Sequence, residues 1–90
     1  MKEKDKSFLT RINAKERQAF RELFAEYYRP LVMFAMRYLG EQEEAEDVVQ
    51  DLFVAVWEKK DAFLSEQSIH VFLYNSVRNT CLNLLTHRKV

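Results

Sequence analysis

Apolar residues recur at intervals of three and four along most of this chain, a spacing that predicts α-helices. The clearest series is Ala45, Val48, Val49, Leu52, Phe53, Val56 and Trp57. No segment alternates polar and apolar residues at period two, so no strand is predicted. A single glycine and a single proline in 90 residues exclude a glycine-rich phosphate loop and a turn-rich β-sandwich. The sequence therefore predicts a small all-α protein, built as a four-helix bundle.

Start and stop signals give the boundaries of the first two predicted helices. Asn13 and Glu16 have the spacing of a capping box, which would begin the first helix. Pro30 lacks a backbone N–H, so the first helix is expected to end near Tyr28 and the second to begin at the proline. Gly40 can adopt the left-handed conformation that ends a helix.

The third and fourth predicted helices are joined by a loop. Acidic residues crowd the start of the third helix, and Lys59 and Lys60 follow its end, so both placements complement the helix dipole. Residues 61–68 show no period and are predicted as the loop, with Ser68 capping the fourth helix. The apolar face of the fourth helix is Ile69, Phe72, Leu73, Val77, Cys81 and Leu84. On that face Cys81 is expected to be a core residue and not a nucleophile.

Ninety residues suffice for one domain. Residues 1–12 are polar and are predicted to form a flexible or partly helical arm, and residues 13–90 the folded domain. The first residues lack the apolar segment of a secretion signal, and apolar runs such as residues 31–36 are too short to span a membrane. One cysteine excludes an intramolecular disulfide and fits a reducing compartment, so a cytoplasmic location is expected.

Charge is balanced overall but segregated along the chain. Residues 1–39 carry a net charge of +4, residues 40–66 a net charge of −7 and residues 67–90 a net charge of +3. This pattern suggests two different partners, one cationic and one anionic. Ordinary solvated helix faces are the alternative interpretation.

Few residues point to catalysis or metal binding. His70 and His87 have no cysteine or carboxylate at ligand spacing. Glu43, Glu46 and Asp47 share a helix face that could bind a divalent ion, but no second carboxylate helix accompanies it. The sequence therefore predicts no catalytic residue, no metal, no cofactor and no small-molecule substrate.

Two helix faces carry the signals of binding. Asp47, Gln50 and Asp51 lie opposite the apolar side of the third helix and have no basic residue four positions on, which suits a basic partner helix. Opposite the apolar side of the fourth helix lies a stripe with hydrogen-bond donors and no acid: Asn75, Arg78, Asn79, Asn83 and Thr86. Asparagine can bind base edges and arginine can bind phosphate, so this stripe favours nucleic acid.

Three segments, in their order along the chain, resemble successive segments of the bacterial extracytoplasmic-function (ECF) sigma factors of the sigma-70 family. EAEDVVQDLFVAVW at residues 44–57 resembles their core-binding helix, AFRELFAEYY at residues 19–28 their first helix, and FLYNSVRN at residues 72–79 the start of their promoter-reading helix. The resemblance covers roughly residues 18–89. It implies the all-α fold of sigma region 2 and a non-enzymatic role in transcription initiation.

The resemblance also implies two sets of contact residues. Contacts to the clamp coiled coil of the polymerase β′ subunit would be made by Glu46, Asp47, Gln50, Asp51 and Phe53, with Phe53 and Trp57 mainly packing. Contacts to the −10 non-template strand would be made by the loop residues Phe63, Leu64, Ser68 and His70, by the helix residues Tyr74, Asn75, Arg78 and Asn79, and by Arg88 and Lys89 near the DNA backbone.

Similar proteins continue into a second helical domain, region 4, that reads the −35 element. We therefore expect residues 13–90 to be the first domain alone, excised from a longer protein, with an anti-sigma factor as a further partner. Two alternatives stay open at this point: a helical protein-interaction module that does not bind DNA, and a carboxylate metal-site bundle.

Overall fold

The computed structural model describes residues 7–88, and within that range the chain forms four α-helices and no strand. The helices are α1 (Phe8–Asn13), α2 (Arg17–Leu39), α3 (Gln42–Glu58) and α4 (Glu66–Arg88). The predicted all-α, four-helix architecture is confirmed, although the helices divide the chain differently from the prediction. The division into an arm and a domain at residue 13 stays a prediction.

The first helical segment begins earlier than the capping signals suggested. Ser7 caps α1, because its side chain accepts a hydrogen bond from the backbone N–H of Thr10 at 3.1 Å. Asn13 is the last residue of α1 and does not cap α2, so the predicted capping box with Glu16 is wrong. The amide of Asn13 instead bonds the backbone of Phe63, donating from Nδ2 to the carbonyl and accepting at Oδ1 from the N–H.

The predicted break at Pro30 is also wrong, since α2 runs without interruption through the proline. Buried Leu23, Leu31 and Leu39 keep one apolar face in phase on both sides of it. Each buried leucine is worth about 1.5–3 kcal/mol, whereas an interior proline costs about 3 kcal/mol. Pro30 and Glu26, whose carbonyl loses its helical donor, are both exposed, so water can solvate the freed group.

Helix α2 packs against both α3 and α4, and these two also contact each other, so the core lies between the three long helices. The fully buried side chains include Leu23, Leu31, Val49, Ile69, Leu73, Val77 and Cys81. Cys81 is a core residue as predicted, and its burial raises the pKa of the thiol. The predicted apolar face of α4 is wrong at Leu84, which is 36% exposed, while the neighbouring Leu85 packs against the core.

The end of α2 confirms one predicted boundary residue, and the start of α4 shows that another was wrong. Gly40 ends α2 in the left-handed conformation with a φ of 78°, as predicted. At the start of α4 the capping residue is Ser65 and not Ser68. The side chain of Ser65 accepts from the N–H of Ser68 at 3.0 Å, and the side chain of Ser68 accepts from the N–H of Ser65 at 3.1 Å.

Candidate functional site

The exposed side of α3 presents Asp47, Gln50 and Asp51 to solvent, and these three residues are here termed the acidic face. No salt bridge between described residues reaches either aspartate. Gln50 is oriented by a hydrogen bond from its Nε2 to the hydroxyl of Tyr28, at 3.3 Å. Glu46, one turn earlier, is half-buried and accepts a hydrogen bond from Gln42 at 2.9 Å. The face is therefore negatively charged, regular and open to a partner.

Two aromatic residues of α3 lie differently from their predicted roles. Phe53 is only 3% exposed and packs on Phe24 with ring centroids 4.9 Å apart. Its burial fits the predicted packing role, and its contact with polymerase stays a prediction. Trp57 is 41% exposed and its ring lies edge-on to that of Phe20 with centroids 5.1 Å apart, so it is a surface residue and not a core one.

An exposed apolar residue next to the acidic face was not anticipated from the sequence. Val54 is 56% exposed and follows Gln50 and Asp51 by one helical turn. Phe24, on the neighbouring helix, is 39% exposed and stacks on Tyr28 at 4.7 Å. The available signal was the position of Val54 on the polar side of an otherwise clean apolar pattern.

The α3–α4 loop, residues 59–65, has a buried anchor beside an exposed tip. Phe63 is only 9% exposed and packs into the edge of the core, so little of its ring is open to DNA, and its predicted DNA contact stays a prediction. Its ring lies 5.5 Å from that of Phe72 and 4.4 Å from the Nζ of Lys59, which sits over it as a cation on an aromatic face. Leu64, the next residue, is 89% exposed and remains available to a ligand.

Two residues from the junction of α1 and α2, residues 13–16, here termed the α1–α2 segment, bind this loop. No sequence pattern indicated either contact. Asn13 exchanges two hydrogen bonds with the backbone of Phe63, at 2.8 and 2.9 Å. The Nζ of Lys15 donates to the carbonyl oxygens of Trp57 and Lys59, each at 2.6 Å. Because these contacts join residues 42, 44 and 50 positions apart, no local pattern could have indicated them.

The start of α4 carries a small aromatic cluster that includes His70 and Tyr74, two of the residues predicted to contact DNA. The hydroxyl of Tyr27 and Nδ1 of His70 are hydrogen-bonded at 3.1 Å, and the His70 ring lies 4.7 Å from that of Tyr74. Burial raises the pKa of Tyr27. His70 is exposed and Tyr74 half-buried, so the cluster presents ring edges and one imidazole at the surface. Ser68 belongs to the α4 cap described above.

The polar stripe of α4 lies on the surface as expected, since Asn75, Arg78, Asn79, Asn83 and Thr86 are all exposed. Asn79 lines one wall of an open groove between α3 and α4, and Asp51 lines the other. The acidic face and the α4 stripe therefore meet at this groove. At the far end of α4, Arg88 forms an ion pair with Glu44, which competes with a role in phosphate contact. Lys89 lies outside the described residues.

Among residues 7–88, no group of three or more histidine, cysteine, aspartate or glutamate side chains is placed to hold a metal ion. None of the helices formed by those residues is both long and apolar enough to cross a membrane.

Comparison with known proteins gives a consistent set of similarities. The family model described as Sigma-70 region 2 matches residues 23–90. RNA polymerase sigma-H factor of Pseudomonas aeruginosa is 26% identical over 86 residues, which is 96% of this chain and 45% of that protein. ECF RNA polymerase sigma-E factor of Haemophilus influenzae is 27% identical over 82 residues, which is 91% of this chain and 43% of that protein.

A third relative, RNA polymerase sigma factor YlaC of Bacillus subtilis, is 29% identical over 69 residues, covering 77% of this chain and 40% of that protein. The chain therefore spans less than half the length of these relatives. No match was found among solved structures.

Proposed function

The chain belongs to the sigma-70 region 2 family, whose model covers residues 23–90, and on that premise we propose that it is the part of an ECF sigma factor that docks on RNA polymerase core and captures the −10 element of a promoter. The acidic face of α3 is the docking surface, and the α3–α4 loop with the α4 stripe is the DNA surface. A cytoplasmic location follows from these partners.

The observation that carries the proposal is the acidic face itself. Asp47 and Asp51 are exposed without a salt bridge to another described residue, on a helix whose opposite side is fixed in the core. Carboxylates so placed repel phosphate but accept bidentate hydrogen bonds from arginine. A basic helical partner explains them better than DNA does, and the β′ clamp coiled coil is the partner that the family resemblance implies.

The DNA surface consists of groups that bind unpaired strands. The amides of Asn75 and Asn79 can pair with base edges, Arg78 can bind phosphate or stack on a base, and Leu64 offers an apolar contact. Capturing an unstacked base offsets an unstacking cost of a few kcal/mol and shifts the duplex toward the open state. Melting of this kind requires no catalytic group, because no covalent bond changes.

Docking is tested by measuring the affinity of the chain for polymerase core at two salt concentrations. The double variant Asp47→Arg/Asp51→Arg should weaken binding by at least about tenfold, because the new cations meet a basic partner. Glu26→Arg is the matched control, since Glu26 is exposed on α2 away from the acidic face. Equal affinity of both variants, with unchanged helix content by circular dichroism, would remove the docking surface from the proposal.

Strand capture is tested with the chain bound to polymerase core and a pool of randomised single-stranded DNA of about 12 nucleotides. The wild-type chain should enrich particular sequences, and Arg78→Ala should weaken binding to the enriched strand. Since few phosphates are contacted, the salt slope should be shallow, about −2. Enrichment of no sequence would favour a protein-interaction module that does not bind DNA.

A regulatory partner also belongs to the proposal. The family resemblance implies an anti-sigma factor, and one that covers the acidic face would compete with polymerase core. Such competition is measured by displacement of the labelled chain from core, and simultaneous binding of both proteins would place the regulator on another surface.

A further inference from the structure

We infer that Asn13 and Lys15 are positioning residues for strand capture: together they hold the α3–α4 loop in the shape that presents its tip to DNA. Neither residue belongs to the proposed docking or DNA surface. The inference rests on the proposed function, because it assigns a role within the same capture step. Its structural half concerns only the contacts between the α1–α2 segment and the loop.

Asn13 fixes the middle of the loop. Its Oδ1 accepts from the N–H of Phe63 at 2.8 Å, and its Nδ2 donates to the carbonyl of Phe63 at 2.9 Å. This paired bond replaces the backbone partners that an irregular segment lacks. An amide is required for it, since a carboxylate has no donor and an ammonium group no acceptor. The contact is half-buried, where a hydrogen bond is better shielded from water than at an open surface.

Lys15 fixes the end of the loop that follows α3. Its ammonium group reaches the carbonyls of Trp57 and Lys59 at 2.6 Å each and that of Val56 at 3.5 Å. The carbonyl of Val56 already accepts from the N–H of Lys59 at 3.2 Å, whereas those of Trp57 and Lys59 follow it at the end of α3. A cation is favoured at this negative end of the helix dipole. Lys15 thus adds, from a distant segment, a donor for the carbonyls of Trp57 and Lys59 beyond the backbone bond that already ends α3.

The backbone at Lys15 supports a specific role for its side chain. Its φ of 62° lies in the left-handed region, and Lys15 is the one non-glycine residue with positive φ in the described part of the chain. Glycine adopts this conformation without steric strain, whereas a lysine does not. The left-handed turn ends α1, with the N–H groups of Lys15 and Glu16 bonded to the carbonyls of Ile12 and Arg11. It is the contacts of the ammonium group that distinguish lysine from glycine at this position.

The consequence for DNA capture lies in the tip of the loop. Asn13 holds Phe63, Lys15 holds Trp57 and Lys59, and the reciprocal serine cap described above begins α4. Leu64, at the tip, is 89% exposed but is flanked on both sides by fixed backbone. A loop that is already ordered loses less conformational entropy on binding, so its affinity for a captured base is higher.

The structural half is tested by hydrogen exchange at the amide of Phe63. Asn13→Ala should accelerate exchange at Phe63 selectively, while the amide of Leu73 in the middle of α4 keeps its protection. Asn13→Asp is the milder variant, because it keeps the acceptor for the Phe63 N–H and loses only the donor. Gln18→Ala, at an exposed residue of α2, is the control. Unchanged exchange at Phe63 in both variants would overturn the inference.

The functional half uses the chain bound to polymerase core and the strand enriched by the wild-type chain. Asn13→Ala and Lys15→Met should each weaken strand binding by about tenfold and leave the affinity for core unchanged. Arg37→Met is the charge control, since Arg37 is exposed on α2 and forms no ion pair with a described residue. Equal loss of core and strand binding would make the role merely structural and overturn the inference.

Lys15→Gly separates positioning from stability. Glycine relieves the left-handed strain and removes the ammonium group at the same time. We expect a smaller loss of thermal stability than in Lys15→Met, with the same loss of strand binding. Retained strand binding in Lys15→Gly would overturn the role of the ammonium group. If the wild-type chain itself captures no strand, the proposed function fails; if it does and the variants match it, only this inference fails.

Discussion

The acidic face of α3 and the α3–α4 loop are adjacent in the chain but are held in place by different means. The acidic face is one side of a regular helix, and its side chains are positioned by the burial of Val49 and Phe53 on the other side. The loop has no regular hydrogen bonds of its own, and its shape depends on Asn13 and Lys15 from the α1–α2 segment. A helix face can therefore be formed locally, whereas the loop exists only once the distant segment has docked.

This difference has a consequence for the proposed function. A docking surface on a helix tolerates changes elsewhere as long as the core survives. A capture loop held by a few long-range hydrogen bonds can be loosened without unfolding the protein. Variants that affect one region and spare the other therefore test whether the acidic face and the α3–α4 loop are held in place independently.

Phe53→Ala should have the largest effect and should remove the difference between the two regions. Deleting a buried ring of this size costs about 3–5 kcal/mol, a large part of the stability expected for so small a domain. We expect loss of both core and strand binding, with a strongly reduced melting temperature. Val54→Ala is the control on the same helix, because Val54 is 56% exposed. A Phe53→Ala protein as stable as the control would contradict the packing described for α3.

Phe63→Ala should separate the regions. The ring is buried at the edge of the core against Phe72, so its loss costs about 3 kcal/mol and acts first on the loop. Amide exchange is expected to rise in residues 59–65 before it rises in α3. Chemical denaturation with exchange detected by NMR measures both. Simultaneous opening of loop and helix would mean that they form one cooperative unit.

Trp57→Ala should have a smaller effect than a buried tryptophan would suggest. Because the ring is 41% exposed, its removal should destabilise the fold by about 1–2 kcal/mol. The carbonyl of residue 57 remains available to Lys15, so strand binding should survive. Thermal melting by circular dichroism gives the stability change. A loss of more than about 3 kcal/mol would show that the ring is core.

Lowering the pH should change the stability least, through the ion pair that joins Arg11 of α1 to Glu22 of α2. Arg11 donates two hydrogen bonds to Glu22, at 2.7 and 3.3 Å, and this pairing holds the pKa of the Glu22 carboxyl below its ordinary value of 4.5. A depressed carboxyl pKa stabilises the folded state above about pH 4.5, and this contribution is lost as the pH falls through the folded pKa. Both groups are accessible to solvent, so the change is small.

The effect of acid is measured as the melting temperature between pH 6 and pH 3, with Arg11→Met as the comparison. The wild-type chain should lose stability more steeply than the variant at the acid end. Amides of the loop should lose protection before those of the acidic face, because α1 carries Asn13. Parallel curves for the two proteins would show that the pair contributes nothing to stability.

The family, the all-α class and the acidic face could be predicted from local patterns. Period-3.6 spacing places Val49, Leu52 and Val56 on one side of a helix and Asp47 and Asp51 on the other, whatever the helix packs against. The exposed stripe of α4 and the burial of Cys81 follow from the same geometry. Gly40 ends α2 because glycine, which has no side chain, adopts the left-handed conformation without strain.

The remaining features depended on which surfaces meet. Pro30 lies within a helix because the apolar face of α2 continues past it into a shared core. Phe63 was expected in a DNA contact but is buried, since its neighbours in space are Phe72 and Lys59. Arg88 pairs with Glu44, which lies 44 positions away.

The sequence by itself determined the all-α class and which sides of α3 and α4 are polar, because these depend on side-chain spacing within a few turns. Only the tertiary structure decided the shape of the α3–α4 loop. Asn13 and Lys15 bind backbone groups, and backbone groups are the same at every position. No sequence pattern can therefore indicate which carbonyl or N–H a distant side chain will bind until the chain has folded.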